Sequence, residues 1–167
     1  MKKKHFFNYG ERINTLISTK IKNKDLSLLT VHDKGDDLFE FHKNTNEIND
    51  TNIDNNVNVT YFGTLEGSIG YIIQLNKETY EFLYLLQEIL IKKINYNGGF
   101  DYKRWRSFKD GYLFNESKGF IEGAIIGEFL NYNNMCKNMI IKEMNYPWKK
   151  SIKEIVHIIE TLNFTNN

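Results

Sequence analysis

His32, Asp33, Asp36, Asp37, Glu40 and His42 sit close together and carry the imidazole and carboxylate groups of a divalent-metal site. Their spacing argues against that use: the histidines are not the i, i+4 pair of a metal-binding helix, and the carboxylates do not follow an EF-hand calcium loop. An acidic hairpin tip in water accounts for the same residues. Gly63, Gly67 and Gly70 leave three and two residues between them, unlike a dinucleotide loop, and they fall inside a hairpin pattern, not between a strand and a helix. No serine occupies a nucleophile elbow, and Cys136 follows Met135 in a helical pattern, where a lone thiol serves as a small core residue. No catalytic, cofactor-binding or metal-ligating residue is expected, and the chain does not read as an enzyme.

One local excess of charge has a chemical rationale. Lys92, Lys93, Lys103, Arg104, Arg106 and Lys109 face a single acid, Asp101, with Tyr102, Trp105 and Phe108 interleaved. Cations neutralise phosphate and aromatic faces stack on bases, so this segment is a candidate contact for DNA or RNA. The alternative, which composition favours, is that the aromatics anchor a short helix while the cations are solvated or meet acidic protein surfaces.

The elements that would position these residues change character near Leu75. Before it, Arg12–Lys20, Leu28–His32 and Asp37–His42 read as strands, the last two around the turn-like Asp33-Lys34-Gly35-Asp36. Residues 43–58 hold seven asparagines and few apolar side chains, and are expected to form a solvated loop. Val57–Thr64 and Ile69–Leu75 flank Leu65-Glu66-Gly67-Ser68 as a β-hairpin. From Asn76, an N-cap, the period becomes 3.6 residues through Ile94, with Tyr80, Leu83, Tyr84, Gln87, Leu90 and Ile91 along one face. Further helices are expected over Asp101–Phe108, Ile121–Asn131, Asn134–Met144 and, after Pro147, along Ile152, Ile155, Val156, Ile159 and Leu162. The expected division is thus a β part over 1–75 and a helical domain over 76–167, an α+β chain.

Composition bounds the rest. At 167 residues, 41% of them hydrophobic and 14% aromatic, the chain can bury a modest core and is not wholly disordered. A formal charge of +1 from 22 basic and 21 acidic side chains excludes a strong whole-chain field for polyanions or membranes. A single cysteine excludes an intramolecular disulfide framework and fits an intracellular setting. Phe6 and Phe7 behind three lysines fall short of a signal peptide's apolar region, and Tyr80–Ile94 is broken by five charged or amide side chains, so no membrane span is expected.

Tyr61-Phe62-Gly63-Thr64-Leu65-Glu66-Gly67-Ser68-Ile69-Gly70 resembles the last propeller hairpin of a large scaffold family. That family includes damaged-DNA-binding protein 1, the large subunit of cleavage and polyadenylation specificity factor, and the large splicing factor 3b subunit. Trp105-Arg106-Ser107-Phe108 and Gly119-Phe120-Ile121-Glu122-Gly123 look like the paired motifs of the family's C-terminal helical domain, in the same order. The resemblance runs from about Gly10 to the C-terminus. Leu86-Gln87, the Gly98-Gly99 break, Trp105 and the stripe Ile155–Leu162 lean toward the damaged-DNA-binding branch, whereas Thr79-Tyr80 leans toward the polyadenylation branch. The family pattern Asp-Gly-Asp stands here as Glu122-Gly123-Ala124, with the second carboxylate lost.

The resemblance implies terminal strands of a β-propeller followed by a small helical domain, in a nuclear, non-catalytic adaptor. Its implied role is to link substrate receptors to a cullin-RING ubiquitin ligase in DNA repair, or else to serve RNA 3′-end processing or splicing on the same fold. A blade takes four strands and roughly 40 residues, so residues 1–75 supply less than two, and the remaining propeller scaffold becomes an expected partner. Trp105 is expected to fill space beside Phe120 and Ile121, with Arg106 dispensable unless it pairs with Glu122.

Overall fold

The computed structural model describes residues 8–31, 56–94, 101–110, 113–115, 119–145 and 150–163. Of residues 108–110 and 113–115 it describes the backbone alone. The acidic tip, the strand expected over Asp37–His42 and the body of the asparagine-rich segment lie outside the described residues.

The sheet comes first. Strand β1 (Ile13–Lys22), β2 (Asn56–Thr64) and β3 (Ile69–Ile73) form an antiparallel sheet in that order, so β2 is central. Ile21 pairs with Val57, Ile17 with Tyr61 and Leu16 with Phe62, with an irregularity between Ile13 and Thr15. Side chains alternate across a strand, so Val57 and Val59 share one face of β2 while Phe62 and Thr64 lie on the other. Gly67 at φ +93° turns the expected hairpin, and Thr64 closes it by accepting from Ser68 N–H at 3.0 Å. β2 begins at Asn56, inside the segment expected to be loop, because Val57 and Val59 are buried on Leu26.

Leu26 belongs to helix α1 (Lys24–Leu29), which corrects the strand expected over Leu28–His32. Asn23 caps it by accepting from Leu26 N–H at 3.0 Å, and a single bridge from Thr30 to Leu75 then returns the chain.

The helices fall where the sequence period puts them. Helix α2 (Lys77–Lys93) starts at the expected cap Asn76 and buries Phe82, Leu83, Leu86, Ile89 and Leu90, although its buried face is turned from the expected one, leaving Tyr84 exposed. Helix α3 (Tyr102–Arg106) is shorter than expected: Phe108 opens β4 (Phe108–Asp110), which pairs with β5 (Leu113–Asn115) in a hairpin that sequence reasoning missed. Helices α4 (Gly123–Asn131), α5 (Asn134–Met144) and α6 (Ile152–Leu162) complete the order, and α6 begins with a reciprocal Ser151–Glu154 capping box.

Two buried clusters result. The larger joins α2–α6 through residues including Phe82, Leu86, Phe129, Ile140, Ile155 and Ile159. The smaller is Leu26, Val57 and Val59. Leu162 packs against both, and Tyr71 Oη donates to its carbonyl at 2.7 Å, so α6 ties the sheet to the helices. Much of the sheet stays uncovered, with Leu16 and Ile17 each 61% exposed and Ile69 84% exposed.

Candidate functional site

Arg106 is the most constrained charged side chain described, only 5% exposed at the C-terminal end of α3. A buried guanidinium is costly unless its charge is paired and its donors are used. Glu122, at the N-cap of α4, supplies the charge: Arg106 Nε donates to Glu122 Oε2 at 2.8 Å, and Nη2 donates to Oε1 in the parallel arm of a bidentate pair. Nη1 donates to the carbonyls of Asn8 at 2.9 Å and Tyr9 at 2.7 Å. Trp105 stacks on the guanidinium at 3.6 Å from its ring centroid, with Tyr9 and Tyr102 rings at 5.8 and 6.0 Å.

Glu122 is itself fixed from two sides. Its Oε2 accepts from Tyr102 Oη at 2.5 Å, and its backbone N–H donates to Gln87 Oε1 at 2.7 Å, which anchors the entry of α4 on α2. Burial pushes the Tyr102 phenol well above its ordinary pKa, and the hydrogen bond to Glu122 and that carboxylate's charge push it further. Tyr102 is therefore a neutral donor, which suits it to hold Glu122 and unsuits it for proton transfer near neutral pH.

The segment before β1 meets this centre. Asn8 Nδ2 donates to the carbonyls of Trp105 at 3.2 Å and Ser107 at 3.4 Å, and Asn8 Oδ1 accepts from Gly10 N–H at 3.0 Å. Gly10 has φ +91°, and a Cβ there would lie 3.1 Å from the Trp105 ring, so backbone conformation and space both favour glycine. Tyr9 continues the connection into the sheet by edge-to-face contact with Phe62 at 4.9 Å. The Phe62 ring in turn fills the place of a Gly70 Cβ, at 2.3 Å, which explains that glycine; Gly63 has nothing within 4 Å of its Cβ position.

The segments Trp105–Ser107 and Ile121–Gly123 thus meet through Arg106 and Glu122, the pairing allowed for on the sequence. Trp105 itself differs from expectation. It is 41% exposed and covers the guanidinium and Gly10, so it is not an enclosed core residue. Gly119 has φ +83° before the half-buried Phe120 and Ile121, a turn into α4. Ser107 is buried, its Oγ donating to Arg104 O at 2.6 Å.

The basic segment is dispersed by its partners. Arg106 is enclosed, Lys103 pairs with Glu88 at 2.8 Å, and Lys93 pairs with Glu143 at 2.8 Å. Lys92 and Arg104 are exposed, with the Arg104 N–H capped by Asp101, while the side chains of Phe108 and Lys109 lie outside the described residues. The acids that pair with these lysines lie on other elements, Glu88 on α2 against Lys103 and Glu143 on α5 against Lys93, so no local charge pattern signals the pairs. Asn8, Tyr9 and Gly10 were also missed, since no local period signals a contact across almost a hundred positions. Among the described residues no cluster of three or more His, Cys, Asp or Glu could hold a metal, and no helix is long and apolar enough to cross a membrane.

Known proteins share this region. The family described as CPSF A subunit region matches residues 7–131, which takes in the sheet, α3 and both partners of the Arg106–Glu122 pair. DNA damage-binding protein 1 of Oryza sativa subsp. japonica is 34% identical over 94 residues, and DNA damage-binding protein 1a of Arabidopsis thaliana 36% over 94. The Drosophila melanogaster DNA damage-binding protein 1 is 36% identical over 106 residues. These alignments cover 56%, 56% and 60% of this chain and 9% of each relative's length. With the sheet and the Arg106–Glu122 junction both inside a match spanning most of its length, the chain belongs to the CPSF A subunit region family.

Proposed function

We propose that the chain is a non-catalytic scaffold segment of the damaged-DNA-binding type. In this reading residues 1–75 contribute terminal strands to a β-propeller and residues 76–167 form the helical domain that packs beside it. Its partners are the remaining propeller scaffold and, through the assembled scaffold, substrate receptors and a cullin-RING ubiquitin ligase acting in nuclear DNA repair. The observation that carries the reading is identity of 34–36% to DNA damage-binding proteins over 94 to 106 residues of the chain. The Arg106 junction is consistent with it, because its polar atoms are spent on holding elements together and Tyr102 is held neutral.

A second reading, an RNA 3′-end processing or splicing scaffold on the same fold, is favoured by the family's own description. In that role the basic run Lys92–Lys109 supplies the contact, and among its described residues Lys92 is an exposed cation that could meet RNA or DNA. Affinity purification of the endogenous protein followed by mass spectrometry separates the readings. Cullin and receptor subunits support the first, polyadenylation or spliceosomal subunits support the second, and recovery of neither set contradicts both.

A further inference from the structure

The residues Asn8–Gly10 join the sheet to the helical elements in a manner unlike the rest of the molecule. Neither buried cluster contains Asn8, Tyr9, Gly10 or Phe62. The three strap residues are held by two carbonyl contacts to Arg106, two amide contacts from Asn8, the Tyr9 ring on Phe62 and on the Arg106 guanidinium, and the Trp105 face over Gly10. The cradle, by contrast, is built without them: Glu122 pairs with Arg106, Tyr102 and Gln87 hold Glu122, and Asp101 caps α3. A second attachment, at Leu162 and Tyr71, engages β3 and the Val57–Val59 face of β2, opposite the face that carries Phe62.

We propose that Asn8–Gly10 is a releasable strap, undocking from the Arg106–Trp105 cradle as a separate opening while both buried clusters stay packed. The physical basis is that local openings are drawn from regions with few buried apolar contacts, and apart from the Tyr9 edge on the buried Phe62 ring and the Trp105 face over Gly10 this contact is made by polar and backbone groups. Release bares Trp105, the Arg106 guanidinium and Phe62 together, while α6 keeps the sheet attached. The strap is thus a conformational device at one end of the sheet, with α6 as the fixed end.

The test uses the full chain at submicromolar concentration with Trp148→Phe, which leaves Trp105 as the only tryptophan. Urea unfolding is followed by Trp105 emission and by helix circular dichroism on the same sample. The expected result is a Trp105 transition at clearly lower urea than the helix transition, since non-coincident probes mark a separate opening. Gly10→Ala, which strains the strap at its positive φ, shifts the Trp105 midpoint down and leaves the helix midpoint in place; Asn8→Ala, which removes the amide contacts to Trp105 and Ser107, does the same. Coincident transitions in the parent protein, or variants that move both midpoints equally, overturn the proposal.

Discussion

Arg106 shows why a charged side chain inside a small protein is held so completely. Removing its guanidinium leaves Glu122 with an uncompensated carboxylate and two carbonyls without their donor. Breaking a buried pair from one side costs about 3–5 kcal/mol, and Arg106→Ala is expected in that range by urea denaturation followed at the helices. Trp105→Ala is expected to cost roughly 1–2 kcal/mol, below the full-burial figure, because the ring is 41% exposed. The order Arg106 above Trp105 follows from the Glu122 pair, the one condition under which the sequence reading made Arg106 important, and from the exposure of Trp105, which that reading placed beside Phe120 and Ile121. Tyr102 adds a pH dependence of definite sign. Its folded pKa lies above the unfolded value, so its contribution is complete below about pH 10 and is lost as pH rises beyond it. Melting temperatures on either side of that pH should fall more steeply for the parent protein than for Tyr102→Phe; equal slopes would remove the phenol from the account. A smaller residual slope is expected from Tyr80, which burial also raises.

At the scale of elements, the legible parts were those with a long period or a strong local cap. Helix α2 needed only Asn76 and its apolar spacing, α5 matches its expected limits at Asn134 and Met144, and the β2–β3 hairpin followed from Gly67 between two β-branched and aromatic runs. Helix α1 was misread because six residues are too few to display a 3.6 period, and Leu28, Leu29 and Val31 look like a strand when Asn23's capping role is overlooked. The β4–β5 hairpin pairs only three residues on each side, too short for an alternating pattern to stand out. Two of the three hairpin glycines, Gly63 and Gly70, make contrasting tests. Gly70→Ala places a methyl 2.3 Å from the Phe62 ring and should cost about 1–3 kcal/mol, whereas Gly63→Ala meets open space and should be nearly neutral. Equal effects on the midpoint of urea unfolding would refute the packing reason given for Gly70. In α6, Ser151→Ala removes one half of the capping box and should cost about 1 kcal/mol, read as a lower melting temperature.

Among the described residues, a well-packed helical cluster joins a sheet whose central strand is largely buried and whose edge strands keep apolar side chains exposed. Leu16, Ile17 and Ile69 are more than half exposed, and β1 and β3 are edges among the described strands. Unpaired strand edges with apolar side chains favour pairing with other chains, and the chain spans about a tenth of the length of the relatives it matches. The proposed role therefore makes the sheet one part of a larger propeller, with the Arg106 junction setting how that propeller meets the helical domain. Light scattering on the purified chain, alone and co-expressed with a propeller scaffold of the damaged-DNA-binding type, is the most direct measurement of this claim. The expected result is concentration-dependent association of the chain alone at micromolar concentration and a one-to-one complex when the propeller is present. A monodisperse monomer that melts cooperatively and ignores the propeller would contradict it.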